Sequence, residues 1–503
     1  PYTADEALAT LRSAYRREPR EPAIPGVQVV KKWTPSGVQV EEVQLDPQVV
    51  DILVRHPETD AGNAECFRDL LGHRFCWVEE KGSWFRFDGV RWVEDDKAAT
   101  LAMLELVRLR GRAAMNLPAE DNDRRERLVK WAFKSESKYR IGAALSLAES
   151  MLKVHYTDFD TDPWLLCCKN GVVDLSTGDL RLPKPEDMLH KSTGIRYDPT
   201  AECPRWERFL REVFRGDEEV IDFVQRAVGF SLTGLKPEVV FILYGTGANG
   251  KSVFLWVLEQ IFGDYGVTAG SALFARRKDP QTPTPELADL AGKRFAKVVE
   301  VKEDIRLDEE RFKLVSGGDR IKGRHLFQNP FEFEPVAKLW WAVNHKPIIR
   351  DTSYAMWRRI RLIPFEARFA PELGNWQPRE ELEEELRAEL SGILTWAMRG
   401  CLEYQKRGLE LVEPVKQATE DYRRESDVIE RFLDERTIRA PETKVKASEL
   451  YQAYKAWCEE NGENPMTNTA FGRRMGEKGV KKERLRTGWH YIGIGLSAEC
   501  ERL

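Results

Sequence analysis

The sequence predicts a multidomain protein of mixed α+β and α/β class, in which a central parallel-sheet core is preceded by a mixed α+β domain and followed by a winged-helix domain. Three observations predict this order. A glycine-rich stretch lies between two apolar segments near the middle of the chain, short aromatic strands come before it, and three helical segments followed by two strands end the chain. At 503 residues the chain has room for about three domains.

The glycine-rich stretch fits the phosphate-loop pattern G-x-x-x-x-G-K-[ST] at every fixed position. The apolar run 239–244 before it is typical of a buried parallel strand, and the apolar run after it is typical of a buried helix. Glycines let backbone N–H groups turn toward phosphate oxygens, and the N-terminus of the helix adds its positive dipole end. The apolar segments on both sides argue against a chance glycine-rich turn.

We therefore expect a phosphate site made by Gly245, Thr246, Gly247, Ala248, Asn249, Gly250, Lys251 and Ser252. In such a site Lys251 contacts the β- and γ-phosphates and the Ser252 hydroxyl is a ligand of Mg²⁺. We expect the Lys251 side chain to face solvent until phosphate arrives.

Polar residues follow two later apolar strands. The strand predicted over 293–299 ends at Glu300, with Glu303 shortly after it, and the segment KLWWAVN ends at Asn344. An acidic residue at the carboxyl end of a strand near the phosphate loop is placed to hold Mg²⁺ and orient water. The alternative for Glu300 is a solvated turn. Two arginines, Arg358 and Arg359, precede a further apolar strand.

Composition excludes little. A net charge of −5 gives no sign of nucleic-acid binding by the whole chain, so any such binding must come from local patches. Eight cysteines without a C-x-x-C pair predict neither a zinc site nor a disulfide framework, which suits a reducing cytoplasm, that of a bacterial host if a phage or mobile element encodes the chain. No apolar run predicts a membrane span. Because the chain begins at Pro1, we expect processing or a piece of a longer protein.

The segment before the core predicts a helix over 3–17, a hairpin around residues 35–37, an aromatic antiparallel meander from Phe75 and helices over 97–153. The carboxylates of the sequence TDFDTD (157–162) are candidates for a catalytic metal site of a primase or polymerase. No basic or glycine-rich cluster adjoins them, so a solvated acidic turn is favoured. The predicted domain bounds are 1–60, 61–235, 236–412 and 413–503.

Two basic segments are candidate DNA contacts. The first contains Lys322, Arg324 and His325 in a predicted hairpin, and its alternative is surface pairing with Glu332 and Glu334. The second, residues 466–486, has seven basic and two acidic residues, a local net charge of +5. A recognition helix and wing with such an excess suit phosphate contact, although a protein-docking winged helix is also possible. The candidate residues of this second segment are Arg473, Arg474, Lys481 and Lys482.

The order of motifs resembles a superfamily 3 DNA helicase, and more closely the helicase part of phage, plasmid and poxvirus primase–helicases. The resemblance rests on GTGANGKS, VVEVKED, KLVSGGDRIKGR, KLWWAVNHKP and WRRIRLIPF in this order, with agreeing flanks, over roughly residues 60–496. It implies a P-loop ATPase core of the AAA+ type that uses ATP and Mg²⁺. It also implies single-stranded or forked DNA as partner, a ring that is most often a hexamer, and a primase or polymerase domain or subunit.

The resemblance assigns roles residue by residue. Lys251 and Ser252 match the first nucleotide motif, and Glu300 and Glu303 the second, although their spacing of three leaves open which holds Mg²⁺ and which activates water. Asn344 matches the polar sensor. Arg359 matches the arginine finger best, with Arg358 as the near alternative, and residues 317–325 match the hairpin in the central channel.

Three functions compete on the sequence alone. The favoured one is a ring-forming motor that hydrolyses ATP to unwind DNA during replication of a phage, plasmid or other mobile element. The second is an initiator that uses ATP as an assembly switch and loads another helicase; the basic hairpin favours the motor over it. The third, a small-molecule kinase, has no use for that hairpin, and a helicase with two RecA-type cores is excluded because the chain has one core.

Overall fold

A computed structural model describes residues 27–33, 39–270, 273–274, 285–299, 307–324 and 331–497. The predicted helix over 3–17 lies outside these residues. The chain forms two compact units: the first comprises Pro1–Asp174 and Asp179–Arg196, and the second comprises Leu175–Gly178 and Tyr197–Leu503. Residues 197–235 are in the second unit, so the predicted boundary at 235 falls inside it.

The first unit is mixed α+β, as the sequence predicts. Its helices are α1 (Pro47–Arg55), α2 (Asp60–Leu71), α3 (Asp96–Met115), α4 (Asn122–Ser135) and α5 (Lys138–Met151). Its strands are β1 (Val27–Trp33), β2 (Gln39–Leu45), β3 (Phe75–Val78), β4 (Ser83–Phe87), β5 (Trp92–Glu94), β6 (Lys153–Val154), β7 (Leu165–Cys168), β8 (Gly171–Asp174) and β9 (Leu180–Arg181).

The predicted hairpin and meander are both present in this unit. Strands β1 and β2 pair antiparallel, and β3, β4 and β5 form an antiparallel meander that β6 extends in parallel. The helices pack on it through a core that includes Phe67, Trp84 and Leu106. Arg110 is also buried there, and its guanidinium donates to the carbonyl of Leu53 and to Asn63 Oδ1. These bonds satisfy a charge that burial would otherwise penalise.

The second unit contains the predicted core and the C-terminal segment. Its strands are β10 (Val240–Tyr244), β11 (Gly266–Gly270), β12 (Phe295–Val299), β13 (Ile321–Gly323), β14 (Phe331–Phe333), β15 (Lys338–Val343), β16 (Ile360–Pro364), β17 (Thr437–Lys446), β18 (Lys481–Leu485) and β19 (Gly488–Leu496). Its helices are α6 (Pro204–Val213), α7 (Glu218–Leu232), α8 (Lys251–Phe262), α9 (Pro285–Ala288), α10 (Glu309–Gly317), α11 (Tyr354–Trp357), α12 (Arg379–Ala388), α13 (Leu390–Arg407), α14 (Glu413–Ser426), α15 (Val428–Arg436), α16 (Ala447–Glu460) and α17 (Asn468–Glu477).

A five-stranded parallel sheet organises this unit, with the strand order β11-β12-β15-β10-β16. Strand β10 lies between β15 and β16, so the chain leaves β10 for the far edge, returns through β12 and β15, and then crosses to the other side. Every residue of β10 except Tyr244 is buried, which explains its continuous apolar run. The carboxyl ends of all five strands meet at one edge, where parallel sheets bind ligands.

Helices α7 and α13 pack closely against each other. A Cβ at Gly229 of α7 would lie 2.0 Å from the backbone nitrogen of Cys401, and one at Gly400 of α13 would lie 2.1 Å from the carbonyl oxygen of Gln225. The glycines therefore allow the two helix backbones to touch. The segment 379–407 is two helices, because the chain turns at Glu389 between α12 and α13.

The C-terminal segment has the predicted helices α15, α16 and α17 and strands β18 and β19, and one strand more than predicted. Strand β17 pairs antiparallel with β19, with an irregularity between Arg439 and Lys444. The sequence pattern did not predict this strand because it contains a proline at position 441, and in sheets proline is confined to edges and bulges. The predicted boundary at 413 falls at the start of α14, whose Tyr422 packs in the core of the parallel sheet.

Gly229→Ala should lower the midpoint of thermal unfolding, because the added methyl group forces α7 and α13 apart. Overpacking of this kind costs about 1–3 kcal/mol. Gly476→Ala in α17 is the control, since no atom lies within 4 Å of its Cβ position and alanine favours helix. Scanning calorimetry of both variants measures the effect, and an unchanged midpoint in Gly229→Ala would show that the helices separate without cost.

Candidate functional site

The loop between β10 and α8 has the backbone that its glycines predict. Gly247, Ala248 and Gly250 have positive φ values of 104°, 47° and 88°. Ala248 is the one non-glycine residue of the three, so its conformation carries strain. Helix α8 begins at Lys251, directly after Gly250. Successive residues with positive φ can turn several N–H groups toward one anion in front of a helix N-terminus.

The chain after β16 fixes this loop from the other side. The Phe365 N–H donates to Tyr244 O at 2.8 Å, Asn249 Nδ2 donates to Phe365 O at 3.1 Å, and the Phe369 N–H donates to Ala248 O at 2.8 Å. A Cβ at Gly245 would lie 2.4 Å from Phe365 O. Glycine is therefore required at this position for the close approach.

Lys251 corrects one expectation. Its side chain does not face solvent: only 6% of the residue is exposed. Nζ donates to Gly245 O at 2.6 Å and to Asn249 Oδ1 at 3.1 Å. Burial lowers the pKa of the amine from 10.5 to about 8, because a charge in a low-dielectric site loses its hydration. The lysine is thus held inside the loop.

The structure brings Asn344 into the same cavity as the loop. This cavity has a volume of about 400 Å³ and is lined by Gly247 to Val253 and by Asn344, which directly follows β15. Ser252 is exposed to it at the start of α8. Strand β12 ends at Val299 on the same sheet edge. Glu300 and Glu303 lie outside the described residues, so their predicted roles stay predictions.

Arg358 and Arg359 lie at the opposite edge of the sheet. Arg359 directly precedes β16, and its carbonyl accepts from the Val240 N–H at the first residue of β10. Five residues of β10 separate that point from the loop, roughly 17 Å along the strand. Arg359 donates to the carbonyl of Ala355, and burial followed by the nearby Arg358 charge lowers its pKa. Neither arginine is therefore placed to reach the loop of its own chain.

The predicted basic hairpin exists as β13 and β14, which pair antiparallel. Lys322 is exposed on β13 and lies 3.3 Å from Glu332, and Arg320 lies 3.6 Å from Glu334. The Lys322–Glu332 pair is one of the surface pairs considered as the alternative to DNA contact, whereas Glu334 pairs with Arg320. Arg324 is exposed just after β13. His325 is outside the described residues.

The C-terminal basic residues are placed differently from one another. Arg473 is exposed, whereas Arg474 donates to Thr352 Oγ1 at 2.8 Å and to Arg350 O at 3.2 Å. Lys481 lies 2.5 Å from Glu483, and Lys482 lies over the Trp489 and Tyr491 rings.

The acidic sequence 157–162 is solvated as expected at Asp158 and Asp162, which are both exposed. The Asp160 side chain is the exception: it is buried and its carboxylate pairs with Lys191 at 2.9 Å, while Asp158 accepts from the His155 N–H. Within the described ranges no group of three His, Cys, Asp or Glu side chains is arranged to hold a metal ion. The seven cysteines that the structure describes are buried free thiols.

Sequence reasoning missed the far wall of the cavity. It is formed by α6 and by the segment after β16, and it includes Arg205, Phe209, Phe369 and Trp376. The one available signal was a tryptophan between two amides, Asn375 and Gln377, in an otherwise polar stretch.

Three family models match successive parts of the chain. They are "D5 N terminal like" over residues 64–215, "Family of unknown function (DUF5906)" over 243–359 and "Poxvirus D5 protein-like" over 424–490. The middle match spans the loop, Asn344 and the two arginines, and the last begins close to α15. The first and last matches make the chain similar to D5-type proteins, which supports the resemblance to superfamily 3 primase–helicases that the motif order indicates.

Named relatives come from large DNA viruses. The chain is 27% identical over 426 residues to "Putative helicase L207/L206" of Acanthamoeba polyphaga mimivirus, covering 77% of this chain and 44% of that protein. It is 23% identical to "Putative helicase 022R" of Frog virus 3, covering 82% and 56%, and 26% identical to "Putative primase C962R" of African swine fever virus (strain Badajoz 1971 Vero-adapted), covering 60% and 34%. The chain therefore spans about half or less of the length of these relatives.

One solved structure, the apo NrS-1 C-terminal region (305–718), is 13% identical with a TM-score of 0.48, covering 84% of this chain and 96% of that one.

In the described part of the chain, no helix has the length and apolar character needed to cross a membrane.

The stability of the nucleotide-free protein should depend on pH through Lys251. Below about pH 8 the buried amine is charged and its desolvation cost is fully present; between pH 8 and 10.5 the unfolded chain binds more protons, so stability rises. Relative to Lys251→Met, the parent should gain roughly 2–3 kcal/mol between pH 7.5 and 10.5. Denaturant unfolding of both proteins at several pH values measures this, and a difference that does not change with pH would contradict the buried, charged lysine.

Proposed function

We propose that the chain is the ATP-dependent DNA helicase part of a primase–helicase, acting as a ring in the replication of a virus or other mobile element. One observation carries the proposal: a single parallel sheet presents a phosphate-type loop at its carboxyl edge and an arginine pair at its amino edge. Hydrolysis of a nucleotide at the carboxyl edge needs a cation to neutralise the developing charge, and the arginine pair at the amino edge of the same chain cannot reach it.

The loop residues suit phosphoryl transfer to water. Lys251 is already inside the loop and can exchange its contact with Gly245 O for phosphate oxygens. Asn344 faces the same cavity, at the position of a polar group that orients water or senses the γ-phosphate. The Ser252 hydroxyl would hold Mg²⁺ together with a carboxylate, for which Glu300 or Glu303 is the candidate, since Mg²⁺ prefers oxygen ligands. The ion would neutralise charge on the β- and γ-phosphates.

A ring explains the separation of the two edges. If neighbouring subunits place the amino edge of one sheet near the loop of the next, Arg359 can neutralise the charge that develops during hydrolysis. A closed ring of identical subunits repeats this contact at every interface. The resemblance to superfamily 3 proteins supports six subunits.

The motor is favoured over the initiator by the exposed basic hairpin and by the relatives named as helicases. The relative named as a primase supports a priming activity in the same system, either on the same chain or on a partner. Single-stranded or forked DNA is the proposed polymer substrate, bound through the hairpin of β13 and β14 and through the C-terminal segment.

Lys251→Ala and Arg359→Ala should each lose ATP hydrolysis by orders of magnitude as homogeneous proteins. When the two variants are mixed and their subunits exchange, part of the activity should return, because some sites then combine an intact Lys251 with a neighbour's intact Arg359. Steady-state phosphate release measures this. Arg358→Ala is the control and should be milder. Absence of recovery while subunit exchange is demonstrated would mean that the site is complete within one chain.

Lys322→Ala and Arg324→Ala should lower DNA affinity evenly across sequences and reduce the salt slope by about one per lost phosphate contact. Basal ATP hydrolysis should survive, because the hairpin is distinct from the loop, whereas DNA stimulation and unwinding should fall together. Fluorescence anisotropy at several salt concentrations and a forked-DNA unwinding assay measure these effects. Unwinding by the double variant at the parent rate would leave Lys322 with only its surface pair to Glu332.

A further inference from the structure

The cavity at the loop continues beyond the phosphate region toward a wall that the proposed chemistry does not use. This wall combines apolar groups from Phe209, Phe369 and Leu382 with polar groups from α6 and the segment 375–379. A volume of about 400 Å³ lies within the range of sites that enclose small ligands. The loop accounts for a triphosphate at one end, which leaves the other end for the part of a nucleotide attached to it.

Trp376 is the unusual residue of this wall. It lines the cavity and is still 53% exposed, and among the described residues no aromatic ring packs on it. A core role is excluded by the exposure. An indole face left open beside a cavity is a platform on which a planar base can stack.

The neighbours of Trp376 are held firmly. Asn375 Nδ2 donates to Arg368 O at 2.8 Å and its Oδ1 accepts from the Ala370 N–H at 3.1 Å. On the other side, Gln377 Oε1 accepts from Arg205 at 3.0 Å and its Nε2 donates to Glu385 at 3.0 Å. Both amides are thus committed to shaping the segment, which fixes the tryptophan between them before any ligand arrives.

Arg205 links this segment to α6. Its Nε donates to Glu385 Oε2 at 2.7 Å, in addition to the bond with Gln377. Glu389 in turn accepts from the Arg205 and Trp206 N–H groups at the start of α6, at 3.0 Å each. The helix that carries Phe209 and the segment that carries Trp376 are therefore held at a set spacing across the cavity.

We propose that Trp376 stacks on the nucleobase of a nucleoside triphosphate whose phosphates occupy the loop, and that Arg205 is a positioning residue for it. The proposal rests on the proposed function, because it assumes that the loop binds phosphates. It adds the location of the base and the side chain that contacts it. An alternative use of Trp376, together with the exposed Leu373 nearby, is contact with a second copy of the chain.

The test uses the full chain with Mg²⁺ and compares ATP with inorganic tripolyphosphate by calorimetry. Trp376→Ala and Trp376→Leu should weaken ATP binding about tenfold, as expected for one stacked base, and leave tripolyphosphate binding unchanged. Trp376→Phe should recover most of the affinity. The kcat at saturating ATP should change less than threefold, since the indole does not touch the reacting atoms. Arg205→Ala should likewise raise the Kd for ATP alone.

Two results would overturn the proposal. One is parent-like ATP affinity in both Trp376→Ala and Trp376→Leu; the other is an equal loss for ATP and tripolyphosphate, which would indicate a structural role. Leu373→Ala is the matched control: it removes an exposed apolar side chain that does not line the cavity. If it and Trp376→Ala both reduce assembly in sedimentation while the affinity per site stays constant, the patch is a subunit contact instead. If the parent protein does not bind tripolyphosphate, the loop is not a phosphate site and the proposed function is rejected. This outcome is distinct from a failure of the base site alone.

Discussion

The close approach of the Phe365 carbonyl to the loop at 245–250 is the constraint on which the site depends. Asn249 is 3% exposed, and both ends of its amide are used: Nδ2 donates to Phe365 O and Oδ1 accepts from Lys251. Removing either partner would leave a buried polar group unsatisfied, at a cost of about 1–3 kcal/mol. The same approach excludes any side chain at Gly245. The shape of the loop and the position of Lys251 depend on this contact.

The contact also sets the electrostatics of the loop. Gly245 O and Asn249 Oδ1 are the hydrogen-bond acceptors found at Nζ of Lys251 among the described residues, and neither carries a full charge. Burial lowers the pKa of this amine to about 8, and within the described ranges no carboxylate pairs with it to offset that effect. A phosphate entering the loop would supply the missing negative charge, and it would gain more from a desolvated lysine than from a solvated one. Burial of Lys251 is thus compatible with phosphate binding, although the sequence pattern led us to expect exposure.

Local patterns in the sequence predicted the elements that carry the site, because each has its own signal. The apolar run of β10, the loop motif and the apolar runs of β12, β15 and β16 are all readable without tertiary information. What could not be predicted depends on residues far apart in the chain. Phe365 is 116 residues from Asn249, and the pairing of Lys478 with Asp427 and Glu430 joins α17 to the start of α15. Strand β17 was missed for a different reason, since its proline contradicts the pattern of a regular strand.

Contacts between distant residues also decide which basic side chains of the C-terminal segment are prepared to contact phosphate. Arg474 is half-buried and donates to a backbone carbonyl and a hydroxyl of the segment that follows β15, and Lys478 is held by two carboxylates. These groups would have to give up partners before they contacted phosphate. The Lys322–Glu332 pair on the hairpin is exposed on both sides, and such pairs contribute about 0–1 kcal/mol. A polyanion can therefore replace Glu332 as the partner of Lys322 at little cost. It cannot replace Thr352 as the partner of Arg474 without moving α17. The hairpin is therefore the better-prepared phosphate contact, and within the C-terminal segment the exposed Arg473 is better placed than its neighbour Arg474.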